Sequence, residues 1–230
     1  MAGLRPVPLR CGSEALVWRI VIFLLLRKTR FAGSVDGMSA LVGNVGWMGW
    51  NVVLALVPLG LARFLFGHRQ RPAWLLWAGG VAFVAFLPNA PYVLTDLLHV
   101  PDDLAQVHSP WLAAALLAQY ACLIGVGFVA YVLALVRFER WLAGRGVSRG
   151  AVLAIDLSLH ALCAFGILLG RVFRFNSWDL LTDPRGLVGV LAVPQPRTVV
   201  VLVVLFIALA GGAALARALP MIMTRAVDAA

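Results

Sequence analysis

The sequence predicts an all-α fold: a polytopic helical membrane protein of about six transmembrane helices, with a short amphipathic helix, interfacial or re-entrant, after the third. Three observations predict it. Residues of the types Ala, Val, Ile, Leu, Met, Phe, Trp, Tyr and Cys make up 62% of the chain and charged residues only 13%, whereas a soluble domain holds roughly half apolar and a quarter charged residues. Mean hydropathy is +0.94. Apolar runs of about 20 residues, the length that crosses a hydrocarbon core, recur along the chain. A water-soluble fold of 230 residues has too little interior to hide so much apolar surface, so lipid is the solvent for most side chains and residues 1–230 read as one membrane domain.

Six apolar segments can be drawn, over residues 15–26, 44–66, 73–87, 111–136, 151–170 and 198–215, separated by stretches rich in Pro, Gly and charge. The first is shorter than a full span and carries Arg19, whose stem can snorkel to the head groups. The second holds Asn51 beside Trp50 near one end, and Pro58, a candidate kink. After the third comes Leu87-Pro88-Asn89-Ala90-Pro91-Tyr92-Val93-Leu94-Thr95-Asp96-Leu97-Leu98-His99. Here the prolines are expected to stop the helix and Asn89 to cap a new one. At helical period Tyr92, Thr95, Asp96 and His99 share one face, and Val93, Leu94, Leu97 and Leu98 the other. The fifth segment carries Asp156 and His160 one turn apart. It runs into Gly170-Arg171-Val172-Phe173-Arg174-Phe175-Asn176-Ser177-Trp178-Asp179, where Ser177 can cap a following short helix.

Orientation follows from the excess of basic residues on cytoplasmic loops. With the N-terminus inside, Arg5, Arg10, Arg63, Arg69, Arg71, Arg137, Arg140, Arg145, Arg149, Arg217 and Arg225 fall inside, and Arg27, Lys28, Arg30, Arg171, Arg174, Arg185 and Arg197 outside, eleven against seven. The connection 88–110 has no Lys or Arg and contains Asp96, Asp102 and Asp103. Trp47, Trp50, Trp111 and Trp178 are expected near one interface, and Trp18, Trp74, Trp77 and Trp141 near the other. Both termini are therefore expected in the cytoplasm. Because two clear segments separate connection 88–110 from connection 171–197, the two share a side however the first segment behaves.

The formal charge of +9 is spread along loops without any nucleic-acid signature; it reads as a topology signal. Cys11, Cys122 and Cys163 show neither a disulfide framework nor zinc spacing. Arg19 and the cluster Arg27, Lys28 and Arg30 argue against a cleaved signal peptide. Charge at membrane depth is costly and usually paired, so Arg171 or Arg174 is expected to meet Asp96 or Asp179. The same guanidinium forks suit a phosphate or carboxylate. Asp96 and His99, with Asp102, Asp103 and His108 downstream, are weak metal candidates, since their spacing matches no strong motif. They also form a carboxylate–imidazole pair suited to proton transfer. Asp156 is either a relay residue with His160 or the partner of Arg149 or another interfacial arginine. No nucleophile or cofactor is indicated.

Trp50-Asn51 with Pro58, Leu-Pro-Asn-Ala-Pro-Tyr-x-x-Thr-Asp-Leu-x-His over 87–99, and Gly-Arg-x-x-Arg-x-Asn-Ser-Trp-Asp over 170–179 together resemble the bacterial integral-membrane domain of unknown function family 1361. The resemblance covers nearly the whole chain. It implies a bacterial polytopic protein of the cell (inner) membrane. The motif positions it carries over are Asn51, Asn89, Pro91, Tyr92, Thr95, Asp96, His99, Arg171, Arg174, Asn176, Trp178 and Asp179. It implies no reaction. The Gly-rich stretch 43–49 departs from it, being more polar than in members of the family.

Three functions follow as expectations. In the first, an extracytoplasmic cluster of Asn51, Asn89, Tyr92, Thr95, Asp96, His99, Arg171, Arg174, Asn176, Trp178 and Asp179 binds an anionic lipid head group or a small metabolite. In the second, the chain is a small transporter or proton-coupled permease using Asp156 and His160, although no inverted repeat is evident. In the third it is a non-catalytic assembly or scaffold protein. The bilayer is the one partner common to all three.

Overall fold

In hydrocarbon a backbone must satisfy its own hydrogen bonds, and a helix does so within one segment. The computed structural model describes residues 37–67, 71–173 and 196–219, and every regular element among them is helical. These residues all fall in one unit, Ser34–Ala230. The elements in chain order are α1 (Gly37–Leu65), α2 (Ala73–Phe86), α3 (Asn89–Tyr92), a 3-10 helix (Val93–His99), α4 (Val100–Leu104), α5 (Pro110–Gly144), α6 (Arg149–Leu168), a π-helical turn (Leu169–Phe173) and α7 (Pro196–Ala218). Five stretches are long and apolar enough to cross a membrane: Leu41–Leu65, Ala73–Leu104, Pro110–Gly144, Arg149–Arg171 and Pro196–Ala218. They correspond to the second to sixth expected segments; the first, 15–26, lies outside the described residues.

The surface fits lipid rather than water. Trp77 and Trp111 are 77% and 85% exposed, with Trp50, Trp74, Val81 and Ile207 also outward, a pattern a soluble monomer avoids. The helix α7 is apolar all round, and only 11% of its most apolar stretch is buried. The long α5 is the central post. Its Tyr120, Leu123, Gly127, Ala130, Tyr131, Ala134 and Leu135 recur at helical spacing and are buried. Without a hydrophobic drive between helices in lipid, small residues let backbones approach, and Ala55, Ala62, Ala134, Ala164 and Ala213 are completely covered. At its end α5 closes in a Schellman turn: Gly146 at φ 81 is the C′ residue, its N–H donates to Ala143 O, and Val147 N–H donates to Leu142 O. Ser148 Oγ then accepts from Ala151 N–H at 3.3 Å and starts α6.

The proline-rich segment after α2 bears out one expectation and corrects another. The helix α2 ends at Phe86, ahead of Pro88, and a new short helix starts at Asn89, although Leu87, Pro88, Tyr92 and Val93 keep right-handed helical dihedrals. Pro91 sits in the first turn of α3, where its missing N–H leaves no bond unmade. Asn89 does not cap that helix; its Nδ2 donates back to Phe86 O at 3.1 Å. What changes is the pitch. In a 3-10 helix positions i and i+3 eclipse, so Val93, Asp96 and His99 form one row. Val93 and Asp96 are buried while Leu97 is exposed, which moves Val93 from the expected apolar face onto the row of the polar residues.

Gly127 of α5 lets this segment dock. A Cβ there would lie 2.4 Å from Val93 Cγ2 and 2.8 Å from the Ala90 carbonyl oxygen. Gly127→Leu is therefore expected to destabilise the protein by about 1–3 kcal/mol through overpacking, read as a lower thermal-unfolding midpoint in detergent. Gly125→Leu, where a Cβ meets nothing within 4 Å, is the control expected to leave the midpoint unchanged.

Candidate functional site

Asp96 is 2% exposed, and a carboxylate so placed needs donors. Two elements supply them. Asn51 of α1 donates from Nδ2 to Asp96 Oδ2 at 3.1 Å, and Arg171 Nη1 stands 3.8 Å from Asp96 Oδ1. Arg171 belongs to the π-helical turn that prolongs α6. Its Nη2 also donates to Thr95 O and to His99 Nε2, each at 3.1 Å. Since a guanidinium only donates, His99 Nε2 accepts and the ring proton sits on Nδ1. Thr95 Oγ1 donates to Tyr92 O at 2.7 Å, tying the 3-10 helix to α3. The expected pairing of Arg171 with Asp96 is thus present, and Arg171 meets connection 88–110 at one end of the bundle.

A second layer extends this cluster. Asp103 Oδ2 accepts from Asn44 Nδ2 and from Tyr120 OH, both at 2.8 Å. Trp47 Nε1 donates to Asn44 Oδ1 at 2.9 Å, and its ring meets His99 edge-on at 5.9 Å. Trp47 is thus a member of the network. Asp103 is no bare loop acid. No group of three or more His, Cys, Asp or Glu side chains among the described residues converges as metal ligands would; Asp96 and His99 both turn to Arg171, and His108 is exposed.

At the opposite end of the bundle lies a second buried polar string. Arg217 of α7 donates to both Asp156 oxygens at 3.0 and 3.1 Å and to Glu139 Oε1 at 2.6 Å. Tyr131 OH and His160 Nδ1 are 2.6 Å apart. His160 Nε2 is 3.4 Å from Asp156 Oδ2 without the alignment of a hydrogen bond. Asp156 therefore pairs with Arg217, not with the exposed Arg149, and the contacts clamp α5, α6 and α7 together.

Between α2 and α6 runs a half-open groove of about 1160 Å³. Asn51, Asn89, Tyr92 and Gly170 line it at the Asp96 end, and Phe66, Phe138 and Trp141 at the other. Those aromatics stack into a floor, with Phe66 4.8 Å from Phe138 and 5.0 Å from Trp141 between ring centroids. Asp156 and His160 do not line it.

A family model described as protein of unknown function (DUF1361) matches residues 50–210. The chain belongs to the DUF1361 family. No curated protein and no solved structure matches it. The DUF1361 match includes Asn51, Asp96, His99 and Arg171, so the first-layer contacts lie inside the family region, whereas Asn44, Trp47 and Arg217 lie outside it.

Of the expected site residues in this DUF1361 chain, Asn51, Thr95, Asp96, His99 and Arg171 come together, and Asn89 and Tyr92 stand beside them on the groove. Arg174, Asn176, Trp178 and Asp179 lie outside the described residues, as do Trp18 and Ser177. Sequence reasoning missed Asn44, Trp47, Asp103 and Tyr120 at one end and Tyr131, Glu139 and Arg217 at the other. The spacing of Asn44, Trp47 and Asn51 on one face of α1 was a usable signal; nothing local joins Arg217 to Glu139, 78 positions away. Removing Arg217 leaves two carboxylates without their cation, and breaking such a pair typically costs about 3–5 kcal/mol. Arg217→Ala is expected to lower the unfolding midpoint sharply and expose α7 to proteolysis, while Arg149→Ala changes neither.

Proposed function

We propose that this DUF1361 protein binds a lipid with an anionic head group at the cluster of Asn51, Thr95, Asp96, His99 and Arg171. The observation that carries the reading is the placement of Arg171: its side chain, 26% exposed, is oriented by Thr95 O and His99, and its chain neighbour Gly170 and the Asp96 partner Asn51 line one end of an apolar groove. A guanidinium so held offers further N–H donors to phosphate or carboxylate oxygens, and the groove beside it accepts what is attached to them. Asn89 and Tyr92 contribute polar groups at the same end. Arg174, Asn176, Trp178 and Asp179 belong to this proposal through their sequence position after Arg171.

We assign the cluster to the extracytoplasmic face of a bacterial cell membrane, with both termini cytoplasmic; the basic-residue count and the lack of Lys or Arg in 88–110 support this. A binding role is favoured over transport through Asp156 and His160, because that pair is closed by Arg217 and lies off the groove.

The test is native mass spectrometry of the purified chain after exchange into mixed phosphatidylglycerol and phosphatidylcholine. Wild type is expected to retain phosphatidylglycerol selectively and Arg171→Gln to lose that selectivity. Equal retention of both lipids by both proteins overturns the proposal.

A further inference from the structure

The end of the bundle opposite Asp96 is strongly basic, and four of its arginines have visible roles. Arg217 holds Glu139 and Asp156, the two carboxylates that the described residues place there. Arg71 Nε donates to Phe64 O at 3.1 Å and its guanidinium lies over the Phe64 ring, which closes the last turn of α1. Arg145 lies over the Trp141 ring at 3.8 Å, and exposed Arg149 opens α6. Arg63, Arg137 and Arg140 remain. The contact of α1 with α5 brings them together: the ring of Phe66, one turn beyond Arg63, is 4.8 Å from Phe138 and 5.0 Å from Trp141, the residues that follow Arg137 and Arg140. Arg63 and Arg140 are close enough for their charges to act on Arg137. Arg137 is half-buried with its Nε covered, whereas Arg63 and Arg140 are exposed. Neither of these two is in an ion pair among the described residues; Glu139, next to Arg140 in the chain, turns to Arg217 at 2.6 Å.

A guanidinium stays charged at every physiological pH, so the repulsion within this trio is permanent. The topology rule asks for basic residues near segment ends, not for residues of two helices to converge, and Arg145 and Arg149 serve it while exposed. Basic pockets between transmembrane helices take lipid head groups rich in phosphate, and guanidinium forks match phosphate oxygens. We infer that Arg63, Arg137 and Arg140 form a binding site for a diphosphate, a chemistry offered by the two-phosphate head group of cardiolipin or by soluble pyrophosphate. A single phosphodiester brings one negative charge to three cations and leaves most of their repulsion in place. Two phosphates in one molecule offset most of it. The site is separate from the Arg171 cluster and differs from it in the number of phosphates it takes.

The experiment uses the full chain. In nanodiscs of phosphatidylcholine, cardiolipin is compared by native mass spectrometry with a doubled amount of phosphatidylglycerol, which supplies the same phosphates on separate molecules. In detergent, pyrophosphate is titrated by calorimetry. Wild type is expected to prefer cardiolipin, to bind pyrophosphate, or both, and the double variant Arg63→Gln, Arg140→Gln to weaken that binding at least about tenfold. Both substituted residues are exposed, and an unchanged unfolding midpoint shows that the fold is kept. Arg145→Gln is expected to behave as wild type. The same comparison in Arg171→Gln removes the other cluster's contribution and is expected to give the same preference, so failure here and failure of the head-group reading are seen separately. Cardiolipin without pyrophosphate binding identifies the leaflet as the source, and pyrophosphate that displaces cardiolipin shows a site open to soluble diphosphates; each supports the inference. Binding of neither ligand, retention of phosphatidylglycerol equal to that of cardiolipin, or unchanged binding in the double variant overturns it. An equal loss in Arg145→Gln does so as well, because the attraction is then diffuse surface charge. Binding that appears only in Asp228→Asn also overturns it, since the chain's own carboxylate then occupies the arginines.

Discussion

A buried carboxylate holds its place only through its partners, and Asp96 gathers three elements for that purpose. Asn51 reaches it from α1 and Arg171 from the end of α6, while its own 3-10 helix turns it inward. Each contact constrains the others. Arg171 reaches Thr95 O and His99 as well as Asp96 because the turn Leu169–Phe173 has π pitch, and the 3-10 row brings Asp96 and His99 to the same side. A change in either pitch would swing a charged group toward lipid. Local departures from α geometry often mark functional positions, and here two of them face each other across one end of the bundle.

The two ends of the molecule use their charges differently. At the Arg217 end one guanidinium is consumed by Asp156 and Glu139 in short contacts, and His160 and Tyr131 complete a buried string with no opening to the groove. This is a clamp on α7, a helix whose apolar surface otherwise distinguishes little between lipid and protein. At the Arg171 end the Asp96 carboxylate oxygen stands 3.8 Å away, and the other partners among the described residues are a carbonyl and a ring nitrogen. Among the described residues no carboxylate neutralises the guanidinium by close contact, an arrangement suited to an additional anion.

The groove ties that end to the rest of the bundle. The helix α2 packs on α1 and α6 packs on α5 and α7, leaving a channel between α2 and α6, with Gly80 unfilled and Phe66, Phe138 and Trp141 closing it at depth. A binding site with a polar mouth and an apolar shaft recognises amphiphiles as a class. Which face of α2 lines the shaft follows from the docking of α3 against Gly127, since that close approach sets how the whole proline-rich segment leans on α5.

The membrane-spanning all-helical class was legible in the sequence, because hydropathy acts locally along the chain. The meeting of Asp96 with Arg171 was legible too, as the rule that buried charge seeks a partner. Local reading failed where the outcome depended on pitch or on distant chain. Val93 joined the polar row because the backbone tightened to 3-10 geometry. Asp156 was expected to pair with Arg149 or another interfacial arginine and pairs with Arg217; which of them it would be depended on helix packing, not on sequence distance. The sequence by itself determined the solvent of this protein and the residues able to bear charge in it; only the tertiary structure decided which of them meet and where a groove is left between them.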